Sequence, residues 1–224
     1  MFNLTAVSKE GEYKVRTASG ETRLWEFQSQ PLPRLPDGRR VVLSLAIDIT
    51  ERRQMEVDLK ELAITDPLTD LPNRRHFMAA LERELARVKR FKTQPAAVLM
   101  VDLDHFKRIN DRHGHAVGDA VLVHFAQLVR ESLRITDTAG RMGGEEFAVL
   151  LPGADLETAR EFAERLRHRV LRMPTAHEGA VIPLTASIGV SVLAPDDPRA
   201  ETAMARADAA AYRAKEAGRN QVVG

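Results

Sequence analysis

The run from Ala96 to Leu103 constrains the fold most, because it is apolar throughout except for Asp102. Strands of this pattern lie in sheets covered on both faces, so other elements must flank it. The neighbouring sequence supplies them. Residues 73–91 read as an amphipathic helix, and a further helix is expected over about 117–133. Ala159, Phe162, Ala163, Leu166 and Val170 recur at helical spacing. Residues 199–217 form an alanine-rich helix that Gly218 closes. Residues 138–152 hold two short strands around Gly143-Gly144, and residues 181–193 are β-rich, with Val181, Ile182, Ile188, Val190 and Val192. The order β-α-β-β-α-β predicts the α/β class, as an α+β sandwich with a ferredoxin-like core and extra elements.

Residues 12–28 and 40–49 read instead as an antiparallel β meander. Arg23-Leu24-Trp25-Glu26-Phe27-Gln28 alternates polar with apolar, as a half-buried strand should. Ala18-Ser19-Gly20-Glu21 is a turn signal, and Pro31, Pro33, Pro36, Asp37 and Gly38 break the pattern as a loop before the strand Val41–Ile49. Three strands are marginal alone. Thr50 is a helix N-cap candidate. The helix after it aligns Met55, Leu59 and Leu62. That stripe reads equally as a short coiled-coil seam or as a connector packed on its own domain. Pro67 ends the helix or turns the chain nearby.

Composition narrows the chemistry. The 224 residues are 44% hydrophobic and 29% charged, a globular balance. A net charge of +1 provides no global field for a nucleic acid polymer or an anionic membrane. Cysteine is absent, which excludes disulfides, thiolate metal sites and cysteine nucleophiles. No apolar run approaches the roughly 20 residues of a membrane-spanning helix. Met1-Phe2-Asn3-Leu4 does not open a signal peptide, so a cytoplasmic protein is expected.

Two acidic clusters stand out. Asp102-Leu103-Asp104 ends the buried strand, a common place for a metal ligand or catalytic acid. Asp104 also reads as a helix N-cap. Phe106 and Lys107 occupy positions where an EF-hand needs a ligand and a glycine, which excludes that loop. The second pair, Glu145-Glu146, follows Arg141-Met142-Gly143-Gly144, a tight glycine turn that lets a ligand approach the backbone. Strand alternation would send the two glutamates to opposite faces unless the turn bends the chain. Their mutual repulsion would be relieved by a hard divalent cation, magnesium or manganese. The alternative is an exposed acidic hairpin.

Cations and amides complete the pattern. Lys107 could reach a phosphate from the strand end. Lys215 and Arg219, four apart, share a helix face if the last turn persists. They could grip a triphosphate, or simply favour the helix dipole. Asn110 and Asp119 flank His113-Gly114-His115, and an amide with a carboxylate can read guanine. Walker A and dinucleotide glycine loops are absent.

This combination resembles the GGDEF family of diguanylate cyclases. The residues that carry it begin with Asp66-Pro67-Leu68-Thr69-Asp70-Leu71-Pro72-Asn73-Arg74-Arg75 and Asp102-Leu103-Asp104-His105-Phe106-Lys107-Arg108-Ile109-Asn110-Asp111. His113-Gly114-His115, Gly118-Asp119, Arg141-Met142-Gly143-Gly144-Glu145-Glu146-Phe147 and Ser187-Ile188-Gly189-Val190 follow. Ala207-Asp208 and Lys215-Glu216-Ala217-Gly218-Arg219-Asn220 close the set. They span residues 66–223 in the family's order, with GGEEF as the signature.

The resemblance implies a nucleotidyl-cyclase-like domain that joins two GTP into cyclic di-GMP with release of pyrophosphate. It implies that Asp102, the Leu103 carbonyl, Glu145 and Glu146 hold two magnesium or manganese ions per active half-site. Glu145 would also help deprotonate the attacking 3′-hydroxyl. Asn110 and Asp119 would bind guanine, with His115 near the ligand. Lys107, Lys215, Arg219 and the Gly143-Gly144 backbone would hold the phosphates. Arg134 and Asp137 match the family's RxxD product-inhibition motif, with Arg165 as its secondary arginine.

Two equivalent linkages in the product imply a homodimer of facing domains, joined by the helix at 51–65. Residues 1–50 resemble the last strands of a PAS sensor without its helices, so the chain reads as a truncated product or a fragment. The competing reading is a non-catalytic receptor for GTP or cyclic di-GMP that acts through protein contacts.

Overall fold

Alternation at the start of the chain builds a three-stranded antiparallel sheet, β1 (Ser8–Arg16), β2 (Thr22–Leu32) and β3 (Val41–Asp48), in that order. The structure, a computed structural model, describes residues 8–62, 64–91 and 94–224. The chain divides into two units, Met1–Ala63 and Ile64–Gly224. In the first unit the sheet covers little. Leu43 and Leu45 of β3 are 58% and 54% exposed.

Thr50 is the first residue of helix α1 (Thr50–Leu62) rather than its cap. Its hydroxyl donates to Asp48 Oδ1 at 2.6 Å and accepts the Leu24 N–H at 2.8 Å. The same Asp48 oxygen accepts the Thr50 N–H at 3.0 Å, so Asp48 does the capping. Met55 and Leu59 are 60% and 67% exposed. The Leu62 side chain lies outside the described residues.

The second unit contains α2 (Arg74–Arg90), β4 (Ala96–Leu103), α3 (Phe106–His113), α4 (His115–Arg130), β5 (Thr138–Gly143) and β6 (Glu146–Pro152). It continues with α5 (Leu156–Arg172), β7 (Thr175–His177), β8 (Ala180–Ile182), β9 (Ala186–Val192), α6 (Ala200–Glu216) and β10 (Val222–Val223). The main sheet has the order β10-β9-β4-β6-β5. Strand β4 is antiparallel to both neighbours, and only β10 joins in parallel, to β9. Without β10 this is the expected ferredoxin-like arrangement.

Every residue of β4 is buried. Its alternate side chains serve two cores. Ala97, Leu99, Val101 and Leu103 join a cluster with Phe125 of α4 and Leu166 of α5. Ala96, Val98 and Met100 join another with Phe77 and Leu81 of α2 and Ala203 and Ala207 of α6. Asp102 continues this second series. The strand therefore delivers its one charge to the α2/α6 side.

Three details differ from expectation. The helix expected over 117–133 starts at His115 and stops at Arg130, and the short α3 precedes it. Gly114 separates the two at φ 85° and donates its N–H to the Asn110 carbonyl, which ends α3 and redirects the chain. The β-rich stretch 181–193 splits, because β7 and β8 form their own hairpin, where Val181 is 67% exposed. No helix among the described residues is long and apolar enough to cross a membrane.

Between β9 and α6 the carboxylate of Asp197 is buried. It accepts two bonds from Arg206, at 2.6 and 2.8 Å, and the Ala194 N–H at 2.8 Å. The Arg206 guanidinium holds the Asp197 carboxyl below its ordinary value against the opposing effect of burial. Such a group stabilises the fold above its unfolded pKa of about 3.9 and loses that contribution as pH falls through the folded value. Asp197→Asn is expected to cost about 2 kcal/mol at pH 7 in urea titrations. The gap to wild type should close below about pH 4.

Candidate active site

The glycine turn is held from outside. Gly143 and Gly144 have φ of 145° and 51°, conformations that side chains disfavour, and they turn β5 into β6. A bulge between Arg141 and Gly143 precedes them. Arg141 reaches over the turn: Nε and Nη2 donate to the Gly144 carbonyl at 3.0 and 2.8 Å. Its Nη1 donates to both Asp66 oxygens, at 3.0 and 3.2 Å. Asp66 also accepts the Thr69 N–H at 2.9 Å and hydroxyl at 2.8 Å. Burial pushes the Asp66 carboxyl up, but the bonds from Thr69 and Arg141 outweigh it and leave the group below its ordinary value.

The strand register then sets the acids. Asp102 lies opposite Glu146 across the β4–β6 pair, and residues opposed in this way share a face. Glu145 occupies the turn, and its carbonyl accepts the Leu103 N–H at 3.3 Å. Both glutamates are half-buried, whereas Asp102 is 7% exposed. Burial pushes the Asp102 carboxyl above its ordinary value. Lys215 opposes this, and the charges of Glu145 and Glu146 reinforce it.

The Lys215 ammonium, near the end of α6, sits 2.6 Å from Asp102 Oδ2. A cleft of about 570 Å³ opens here, lined by Asp102, Glu146, Asp208, Tyr212, Lys215 and Glu216 among others. Among the described residues no three His, Asp or Glu side chains gather as a metal site, and the cation at Asp102 is Lys215. The donors on offer are all hard oxygens. Asp102 and Glu146, opposed across the strands, are a pair of the kind a divalent ion takes.

Asp104 is not the N-cap of α3. His105 holds that position with φ 58° and no side-chain bond. The Asp104 carboxylate turns into the protein, where it accepts the Thr185 hydroxyl at 2.7 Å, the Ser187 hydroxyl at 2.7 Å and the Asn220 N–H at 3.0 Å. Lys215 and Arg219 do not share a helix face either. Helix α6 ends at Glu216, Gly218 takes φ 113°, and Arg219 follows in a left-handed turn at φ 64°.

The remaining predicted residues lie on α3 and α4, in the turn before β5 and on α5. Lys107 and Asn110 lie on α3, and His115 and Asp119 on α4; Lys107, His115 and Asp119 are exposed, Asn110 half-buried. Asn110 packs on Gly118, where a Cβ would stand 1.9 Å from its Oδ1. A side chain at 118 would displace the Asn110 amide from its place between α3 and α4. Arg134 and Asp137 form a turn before β5, closed by the Arg134 N–H on Asp137 Oδ2 at 2.9 Å. Arg165 is on α5, with its guanidinium over the Phe162 ring at 5.4 Å. The Asp66–Arg141 clamp and the contacts of Asp104 were not read from the sequence. An aspartate three residues before a threonine is a local signal for the first, while nothing local marks the second.

This is the mixed α/β GGDEF fold. Residues 63–221 match the family described as "Diguanylate cyclase, GGDEF domain", and the chain belongs to it. It is 43% identical over 165 residues to diguanylate cyclase DgcP of Pseudomonas aeruginosa, covering 74% of this chain and 24% of that protein. It is 42% identical over 166 residues to response regulator PleD of Caulobacter vibrioides, covering 73% and 36%. The chain thus spans between 24% and 36% of the length of these two relatives. Among solved structures it is similar to diguanylate cyclase SiaD of Pseudomonas aeruginosa in complex with its activator SiaC, with TM-score 0.69 and 39% identity over 77% of this chain and 66% of that one. It is also similar to the coiled coil and GGDEF domain of DgcB from Caulobacter crescentus in complex with c-di-GMP, with TM-score 0.68 and 29% identity over 78% and 92%.

The clamp yields a prediction. Arg141→Ala should cost about 2 kcal/mol in urea titrations. It should also speed amide hydrogen exchange across residues 141–147. Arg141→Lys should rescue neither effect, because an ammonium cannot fork between Gly144 and Asp66.

Proposed function

We propose that this chain is a diguanylate cyclase that condenses two GTP into cyclic di-GMP and two pyrophosphates. The observation that carries the reading is the pairing of Asp102 with Glu146 beside Lys215, in a chain of the GGDEF family. Asp102, the Leu103 carbonyl, Glu145 and Glu146 would hold Mg²⁺ or Mn²⁺, two per half-site. Bound ions would supply positive charge against the triphosphate oxygens.

The chain's own groups do the rest. Asn110 and Asp119 receive the guanine edge, with His115 beside it. Lys107, Lys215, Arg219 and the Gly143-Gly144 backbone grip the phosphates and offset their charge. Glu145 takes the proton of the 3′-hydroxyl. One domain offers one nucleotide, so two domains must face each other to close two equivalent linkages. The helix at 51–65 is the means of pairing them, and residues 1–50 are a PAS-like sensor segment ahead of the cyclase domain at 66–224. Arg134, Asp137 and Arg165 form the inhibitory product site. The similarity to diguanylate cyclase SiaD and to the GGDEF domain of DgcB in complex with c-di-GMP supports this reading.

Incubation with GTP and magnesium should yield cyclic di-GMP on chromatography. Glu145→Gln should lower turnover at least about 100-fold while nucleotide still binds. Binding without turnover in the wild-type protein would favour the receptor reading. Arg134→Ala should keep turnover but raise the inhibitory concentration of cyclic di-GMP about 10-fold. Unchanged inhibition would reject the RxxD site.

A further inference from the structure

We propose that Asp104 is a positioning residue: through the Asn220 N–H it fixes the left-handed turn that presents Arg219 to the substrate phosphates. The proposal rests on the reading of Arg219 as a phosphate ligand.

Asp104 is 4% exposed. A carboxylate so buried must be satisfied by strong partners. Among the described residues no cation bonds it. Its donors are three neutral groups from two separate segments: the hydroxyls of Thr185 and Ser187, both at 2.7 Å, and the Asn220 N–H at 3.0 Å. The Asp104 N–H donates in turn to the Thr185 carbonyl at 2.9 Å. One side chain therefore ties the end of β4 to the start of β9 and to the C-terminal turn.

That turn needs holding. Arg219 and Asn220 are consecutive residues at φ 64° and 46°, a conformation that non-glycine residues keep only where neighbours impose it. Arg219 N–H donates to the Ala214 carbonyl at 3.0 Å. Arg167 donates to the Asn220 carbonyl and Oδ1, at 3.3 and 2.9 Å. These bonds anchor the turn to α6 and α5. Among the described residues, the Asp104 bond alone ties the Arg219-Asn220 turn to β4, the strand that carries Asp102. The Arg219 guanidinium is exposed and has no partner among the described residues, so what the fold fixes of this residue is its backbone and hence the region its side chain can reach. Lys215 differs, since Asp102 holds it directly.

The test is a double-mutant cycle of Asp104→Asn and Arg219→Ala, read by KM and kcat for GTP and by calorimetric binding of a non-reacting α,β-methylene GTP analogue. Melting temperature is recorded for each variant. Asp104→Asn keeps the shape but turns an amide toward the donors. It should raise KM and the analogue Kd about 10-fold with little change in kcat. In the Arg219→Ala background it should add nothing to either, although it still lowers the melting temperature. Thr185→Val, which removes one donor and leaves the carboxylate, should show the same pattern more weakly and serves if Asp104→Asn does not fold. Additive effects in the cycle would overturn the proposal, because Asp104 would then act elsewhere. An effect of Arg219→Ala with none from Asp104→Asn or Thr185→Val would also overturn it, while the phosphate role of Arg219 would stand. No effect of Arg219→Ala on binding would sink both.

Discussion

The pairing of Lys215 with the buried Asp102 carboxylate is the interaction on which the site depends. Strand β4 is packed on both faces, so its last inward charge emerges where water is scarce. Burial and the two glutamates push that carboxyl toward its neutral form, and Lys215 opposes them. Helix α6 must therefore lie close to the sheet. Its buried face is almost wholly alanine, Ala200, Ala203, Ala207 and Ala211 among them, which lets the backbone approach β4 and β9. The stability of the sheet and the charge of the site are set by the same packing.

The backbone also carries local strain. Among the described residues five non-glycine residues have positive φ, Arg219 and Asn220 of the C-terminal turn among them. Such conformations persist where hydrogen bonds over-determine them. The Asp66 and Asp104 carboxylates provide such bonds, one on the glycine turn through Arg141 and one on the C-terminal turn. Neither acid faces the cleft that holds Lys215. Each holds a turn next in sequence to residues that line it, Glu146 after the glycine turn and Lys215 and Glu216 before the C-terminal one.

Much of this was legible residue by residue. The helices over 73–91 and 199–217, the strand over 96–103 and the hairpin around Gly143-Gly144 follow from spacing and glycine placement, and they were recovered nearly to their ends. Helix α3 escaped because its eight residues carry mostly polar side chains, too few for a periodic signal. The sharing of a helix face by Lys215 and Arg219 failed for a local reason. Gly218 ends α6 between them, and spacing alone does not say whether a last turn persists.

The order of apolar and polar residues determined by itself which segments are strands and helices, because side-chain burial repeats at two or 3.6 residues along the chain. It also determined which acids and cations are available. Which acids meet was decided only by the tertiary fold. Strand register puts Asp102 against Glu146, and the return of the C-terminal turn puts Asn220 against Asp104. Those contacts join residues far apart in the chain, and their partners are chosen by how whole strands pair, which no local pattern records.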